Sequence, residues 1–143
     1  MGEHNVENIL AALTVAGQIK IPLSKSLKAV EEFKGVKRRL EIIYRNEKIK
    51  IIDDFAHNPD KVRASITALR KHYPKEQLIV IFEPRTGSSR RKFFQDVYPD
   101  SFSGADLVYI AESFKKNVLK DGEAFSNTKL AKDLNKNKIK AYA

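Results

Sequence analysis

Lys48–Phe82 reads KIKIIDDFAHNPDKVRASITALRKHYPKEQLIVIF, and this stretch decides the fold. It opens with an apolar strand pattern that stops at Asp53. Asn58-Pro59 then starts a helix, with Asn58 as the cap and Pro59 at the first helical position, where no amide proton is needed. Val62, Ile66 and Leu69 supply the helix's apolar face, and His72-Tyr73-Pro74 ends it. Leu78–Phe82 is a continuous apolar run, the pattern of a strand buried on both faces.

Downstream the alternation continues. Glu83–Ser89 reads as a loop, Arg90–Tyr98 as a helix, Ala105–Ile110 as a buried strand, Phe125–Leu134 as a helix and Ile139–Tyr142 as the start of a last strand. Strand and helix taking turns imply a mostly parallel sheet with right-handed crossovers. Upstream, Arg39–Tyr44 and Lys48–Asp53 flank the polar turn Arg45-Asn46-Glu47 and predict an antiparallel hairpin. Before it stand a helix over His4–Gly17, with Gly17 as its stop, and a second helix capped by Ser24 with Gly35 just past its end. The expected fold class is therefore α/β: a Rossmann-like three-layer sandwich with an N-terminal antiparallel hairpin and flanking helices. Residues 1–20 lie outside the alternation and are expected to belong to a preceding domain, with residues 21–143 forming the domain proper.

The chain has 143 residues, 42% hydrophobic and 31% charged, which suits one globular domain. It has no apolar run near the ~20 residues of a membrane helix and no secretory leader pattern. The absence of cysteine excludes disulfides, thiol nucleophiles and thiolate metal ligands, and fits the cytoplasm. A net charge of +9 invites a nucleic-acid reading. The positive residues are spread out, however, apart from a lysine-rich end (Lys129, Lys132, Lys136, Lys138, Lys140), and no zinc-finger or aromatic RNA-binding spacing occurs.

Ligands of parallel sheets bind outside the carboxyl ends of the strands. There, DDFAHNPD (Asp53–Asp60) offers carboxylates and a histidine, for a divalent metal or for ribose hydroxyls, or else only shapes a turn and caps a helix. A stand-alone hydrolase using Asp53, Asp54 and His57 would need both aspartates in one site, yet adjacent strand residues face opposite sides. FEPRTGSSRR (Phe82–Arg91) brings Arg85, Arg90 and Arg91 to a glycine- and serine-containing turn, suited to a phosphate or carboxylate, or is an ordinary capped loop. No GxxxxGK[ST] loop occurs. GVKRRLE (Gly35–Glu41) holds Lys37, Arg38 and Arg39. HNVENILAA (His4–Ala12) places His4 and Asn8 on one helical face beside Asn5.

Taken together and in order, HNVENILAA, GVKRRLE, DDFAHNP and FEPRTGSSRR resemble the C-terminal domain of the Mur ligase family and the helix that precedes it. The shared forms are HNxxNxxAA, GVxRRxE, DDxAHxP and an arginine-rich loop after a strand. FEPR…SRR…FQ, with Phe94-Gln95, is similar to the murein peptide ligase branch. Asn58 stands where close relatives often carry a second histidine, and Gly87 where asparagine is common. The chain also stops before the family's final glycine-rich segment.

The resemblance implies an ATP-dependent amide ligase of cell-wall metabolism, using magnesium, that joins L-alanyl-γ-D-glutamyl-diaminopimelate peptide to UDP-N-acetylmuramate through an acyl phosphate. The alternatives are a UDP-N-acetylmuramate–L-alanine ligase domain and a basic nucleic-acid-binding module. It implies that a central ATPase domain of the same polypeptide handles the phosphates, that no nucleic acid or membrane partner is involved, and that the isolated fragment is inactive. By the same resemblance Asn5 and Asn8 contact adenine, His4 lies near magnesium or the nucleotide, and Arg38 or Arg39 reaches the ATP phosphates. Asp54 binds the ribose and His57 lines the cleft. Arg85, Ser88, Ser89 and Arg90 form the pocket for the incoming amine.

Overall fold

The computed structural model describes residues 3–87, 89–112 and 124–143, without the side chains of Glu3 and His4. It divides into two compact units, residues 1–55 and 56–143.

The first unit begins with α1 (Glu3–Gln18) and α2 (Leu23–Glu32). Asn5, Ile9, Leu13 and Ala16 form the less exposed stripe of α1, at helical spacing. Gly17, read as the stop, lies inside the helix. The chain leaves through Lys20, whose φ of 61° is left-handed, while the Ile21 amide donates to the Ala16 carbonyl at 2.9 Å. Ser24 is not the cap of α2. Pro22 takes that position without a side-chain bond, and its carbonyl accepts the Lys25 amide at 3.0 Å. Gly35 follows α2 with a φ of 88°.

β1 (Glu41–Arg45) and β2 (Lys50–Asp53) form the predicted antiparallel hairpin. A register shift between Ile42 and Tyr44 makes Ile43 the extra residue of a bulge. Asn46 closes the turn by accepting the Lys48 and Ile49 amides at 2.9 and 2.7 Å. Among the described residues this hairpin is a sheet of its own. The expectation that the strand ending at Asp53 opens the parallel sheet is thereby corrected.

The second unit is α/β. α3 (Pro59–His72) leads to β3 (Ile79–Phe82), followed by α4 (Tyr98–Ser101), β4 (Leu107–Ile110), α5 (Asn127–Lys136) and β5 (Lys140–Tyr142). The sheet is parallel with order β3-β4-β5, Phe82 opposite Ile110 and Tyr109 opposite Tyr142. Right-handed crossovers that always step in the same direction deliver their connections to one face. The core agrees: Val62 and Ile66 of α3, Tyr98 and Phe102, and Leu130, Ala131 and Leu134 of α5 cluster with Phe82, Val108, Ile110 and Ala141. Tyr98, Phe102, Leu130 and Leu134 are fully buried, each contributing roughly 1.5–3 kcal/mol.

Three expectations change here. β3 is not buried on both faces, since Ile79 and Ile81 are 49% and 76% exposed. Tyr109 of β4 is exposed in the same way. The apolar run comes from strand propensity as well as burial, and among the described residues the core fills one face of the sheet. Arg90–Tyr98 is not one helix either. Arg91 is extended and bridges to Ala124, which leaves only a 3-10 turn at Lys92–Phe94, and α4 starts with Pro99 in its first turn.

A lock fixes the amino-terminal end of the sheet. Arg70 of α3 donates to Asp106 at 2.6 Å, to the Gly104 carbonyl at 2.9 Å and to the Glu76 carbonyl at 2.8 Å. Asp106 also accepts the Leu78 amide at 2.7 Å. No helix among the described residues is long and apolar enough to cross a membrane.

Candidate functional site

The predicted site residues fall into two groups, one in each unit. In the first unit, GVKRRLE forms a strained turn: Arg38 and Leu40 have φ of 58° and 50°. Side chains other than glycine and asparagine pay roughly 1–2 kcal/mol for that conformation, so it persists only where bonds over-determine it. Those bonds are present. The Arg38 amide donates to Glu41 Oε2 at 2.8 Å, the Phe55 amide to the Arg38 carbonyl at 2.9 Å, and the Leu40 amide to Asp54 Oδ2 at 2.8 Å.

The two arginines of this turn are placed differently. Arg38 Nε lies 3.5 Å from Asp53 Oδ2, and its guanidinium sits 4.9 Å from the centre of the Phe55 ring. Arg39 is exposed, and among the described residues its side chain has no ion pair. Asp54 is half-buried at the end of β2. Asn8 is exposed on α1 and Asn5 half-buried. The side chain of His4 lies outside the described part of the structure.

In the second unit, the loop after β3 is folded on itself. Ser89 is fully buried. Its hydroxyl accepts the Thr86 amide at 2.9 Å, donates to the Thr86 carbonyl at 3.1 Å and meets Thr86 Oγ1 at 2.8 Å. The Ser89 amide donates to Thr86 Oγ1 at 3.2 Å. Ser89 is thus an internal clasp of the loop. Arg90 is half-buried, and its Nε donates to the Thr86 carbonyl at 3.3 Å. Arg85 and Arg91 are exposed. Ser88 lies outside the described residues.

The loop is anchored at its far side. The Phe125 amide donates to the Arg90 carbonyl at 2.8 Å. Gln95, almost fully buried, accepts the Ser126 amide at 2.7 Å and donates to the Ser126 carbonyl at 3.2 Å. Gln95 therefore braces the start of α5, whose cap is Ser126.

His57 stands just before α3. Asn58 caps that helix as predicted, its Oδ1 accepting the Lys61 amide at 2.9 Å. The His57 carbonyl accepts the Tyr98 hydroxyl at 2.7 Å. Thr86, Tyr98 and the Arg70–Asp106 lock were not foreseen, because each acts through partners distant in sequence or through a buried polar bond that periodicity does not report. Among the described residues no group of three or more His, Cys, Asp or Glu is placed to hold a metal ion.

Comparison with known proteins adds a second line. The pattern of the Mur ligase glutamate ligase domain matches residues 38–142. A UDP-N-acetylmuramate–L-alanine ligase of Clostridium acetobutylicum is 35% identical over 140 residues, covering 98% of this chain and 30% of that protein. The chain thus spans about three-tenths of that relative's length. The structure of a UDP-N-acetylmuramate–alanine ligase from Thermotoga maritima superposes with a TM-score of 0.77 at 27% identity, covering 99% of this chain and 29% of the other. A murein peptide ligase from Psychrobacter arcticus does so with a TM-score of 0.61 at 26% identity, covering 100% of this chain and 29% of the other.

Proposed function

Because the chain belongs to the Mur ligase family, we propose that it is the C-terminal part of an ATP-dependent cytoplasmic ligase that joins a cell-wall peptide to UDP-N-acetylmuramate. Residues 1–20 are the closing helix of a central ATPase domain, and residues 21–143 are the C-terminal domain. ATP supplies the γ-phosphoryl group that activates the muramate carboxylate. An amine then attacks the acyl phosphate, and phosphate departs as the amide forms. The phosphate-cradling loop and the magnesium ligands belong to the central domain, since this chain has no GxxxxGK[ST] loop.

This domain grips the nucleotide and the amine. Asn5 and Asn8 read adenine, and His4 lies near the nucleotide or its magnesium. Asp54 holds the ribose and Arg39 the ATP phosphates. The choice of Arg39 over Arg38 rests on the engagement of Arg38 with Asp53 and Phe55. Arg85, Ser88 and Arg90, with His57, form the amine pocket, and Ser89 contributes by shaping the loop. Closure of such a domain excludes water from the acyl phosphate.

The observation that carries the peptide reading is the Ser89-clasped loop with Arg85 exposed and Arg90 at its edge. Two arginines on one loop suit a peptide with several carboxylates better than L-alanine, which has one. The names of the curated relatives favour L-alanine as the second reading. The test is phosphate release by the full-length polypeptide with ATP, UDP-N-acetylmuramate and either amine. Turnover is expected with L-alanyl-γ-D-glutamyl-diaminopimelate. Turnover with L-alanine alone moves the assignment to the alanine ligase. Silence with both, together with salt-sensitive binding of nucleic acid, overturns the ligase reading. The 143-residue chain by itself is expected to be inactive.

A further inference from the structure

Tyr98 is fully buried and packs against aromatic rings at both ends of the arginine loop. Its ring centre lies 5.1 Å from that of Phe82, where the loop begins, and 6.0 Å from that of Phe94, just beyond the loop's end. It lies 5.3 Å from Phe125, whose amide binds the Arg90 carbonyl. Phe102 completes the cluster. Its other four members are phenylalanines, and phenylalanine would pack equally well at position 98. A buried hydroxyl is costly unless it is bonded. This one donates to the His57 carbonyl at 2.7 Å, across 41 positions of sequence. The entry to α3 is already set by the Asn58 cap and Pro59, so helix formation does not require this bond. Its specific effect is to fix where the His57 segment stands relative to the arginine loop.

We propose that Tyr98 is a positioning residue for amine recognition, its hydroxyl holding the His57 segment in register with the Phe82–Arg91 loop. The proposal rests on the ligase reading given above. Burial keeps the phenol protonated, and hence a donor, well above its ordinary range.

The experiment is steady-state kinetics of the full-length ligase carrying Tyr98→Phe, with the peptide amine varied at saturating ATP. Leu134→Val serves as control, a methylene deletion at a fully buried α5 position outside both the Phe82–Arg91 loop and the His57 segment. Loss of one hydrogen bond is expected to raise the amine KM about five-fold, with kcat and the ATP KM changing less than about two-fold. Leu134→Val, matched for melting temperature, should leave the amine KM within about two-fold of wild type. An unchanged amine KM in Tyr98→Phe overturns the proposal, as does an equal rise in Leu134→Val. So does a Tyr98→Phe protein that is unfolded at the assay temperature, because the hydroxyl is then a folding element only. A wild-type protein that ligates neither amine overturns the functional reading and this proposal with it, an outcome distinct from a working wild type with an indifferent Tyr98→Phe.

Discussion

The carboxylate of Asp54 accepts the backbone amide of Leu40 at 2.8 Å, tying the end of β2 to the left-handed turn that carries Arg39. The proposed ribose contact and the geometry of the GVKRRLE turn would then share one side chain, and two substitutions separate them. Asp54→Asn keeps an oxygen for Leu40 but loses the charge. It is expected to raise the ATP KM of the full-length ligase about ten-fold with little change in melting temperature. Asp54→Ala should do both kinds of damage. An ATP KM at the wild-type level in both variants removes Asp54 from the ribose site.

Arg38 and Arg39 are adjacent but differently engaged, so their alanine variants should fail differently. Arg39→Ala is expected to lower kcat/KM for ATP by roughly 10- to 100-fold, the loss of one charge-assisted contact, and to melt as wild type does. Arg38→Ala loses its partners Asp53 and Phe55 and should melt earlier. If the kinetic defect follows Arg38 instead, the assignment is reversed.

Arg85 is exposed on the loop whose shape Ser89 and Thr86 hold. Arg85→Ala should raise the peptide KM about ten-fold and leave the ATP KM alone. Ser89→Ala should lower stability as well, since the hydroxyl bonds it removes are internal to the fold. An Arg85→Ala enzyme with normal peptide kinetics puts the pocket elsewhere.

What the sequence made legible was local. Asn58-Pro59 announced α3 because a cap and a first-turn proline act on their own neighbours, and Asn46 marked the hairpin for a similar reason. What stayed hidden was decided by distant partners. Arg91 is held extended by Ala124, which breaks the helix that its neighbours favour. The apolar run of β3 says strand but not how many of its faces are covered, and Ile81 is exposed. Among the candidate site residues, motif order singled out Asp54, Arg85 and Ser89 alike. It could not show that Ser89 faces inward, because a buried serine and a ligand-binding serine look alike until the Thr86 bonds are seen.

Asp106 gives the stability profile an acid-sensitive component. The Leu78 amide, and then Arg70, hold its carboxyl below the ordinary value of 3.8. A depressed folded pKa stabilises above the unfolded value, and the effect is lost as pH falls through the folded one. Asp106→Asn should cost about 1 kcal/mol at neutral pH, kept small by the partial exposure of the carboxylate. Below about pH 4 the gap should shrink, so the two melting curves converge in acid. A gap that stays constant down to pH 2 would show that the charge of Asp106 plays no part.

The end of α5 offers a test of backbone strain with no ligand involved. Lys138 is exposed with a φ of 64°, and beside it the Ile139 amide donates to the Leu134 carbonyl at 3.0 Å, closing the helix. A lysine there pays roughly 1–2 kcal/mol for its Cβ, and glycine pays nothing, although the unfolded chain then gains freedom worth about 0.5–1 kcal/mol. The difference leaves Lys138→Gly more stable by about 0.5–1 kcal/mol, a rise of about 2–4 °C in Tm. Lys132→Gly, at an exposed position inside α5, has no such strain to relieve and should lose about 1 kcal/mol. Opposite signs from one substitution at two lysines of the same segment would confirm that left-handed geometry is the cause, and a loss at both would show that position 138 does not hold it in solution.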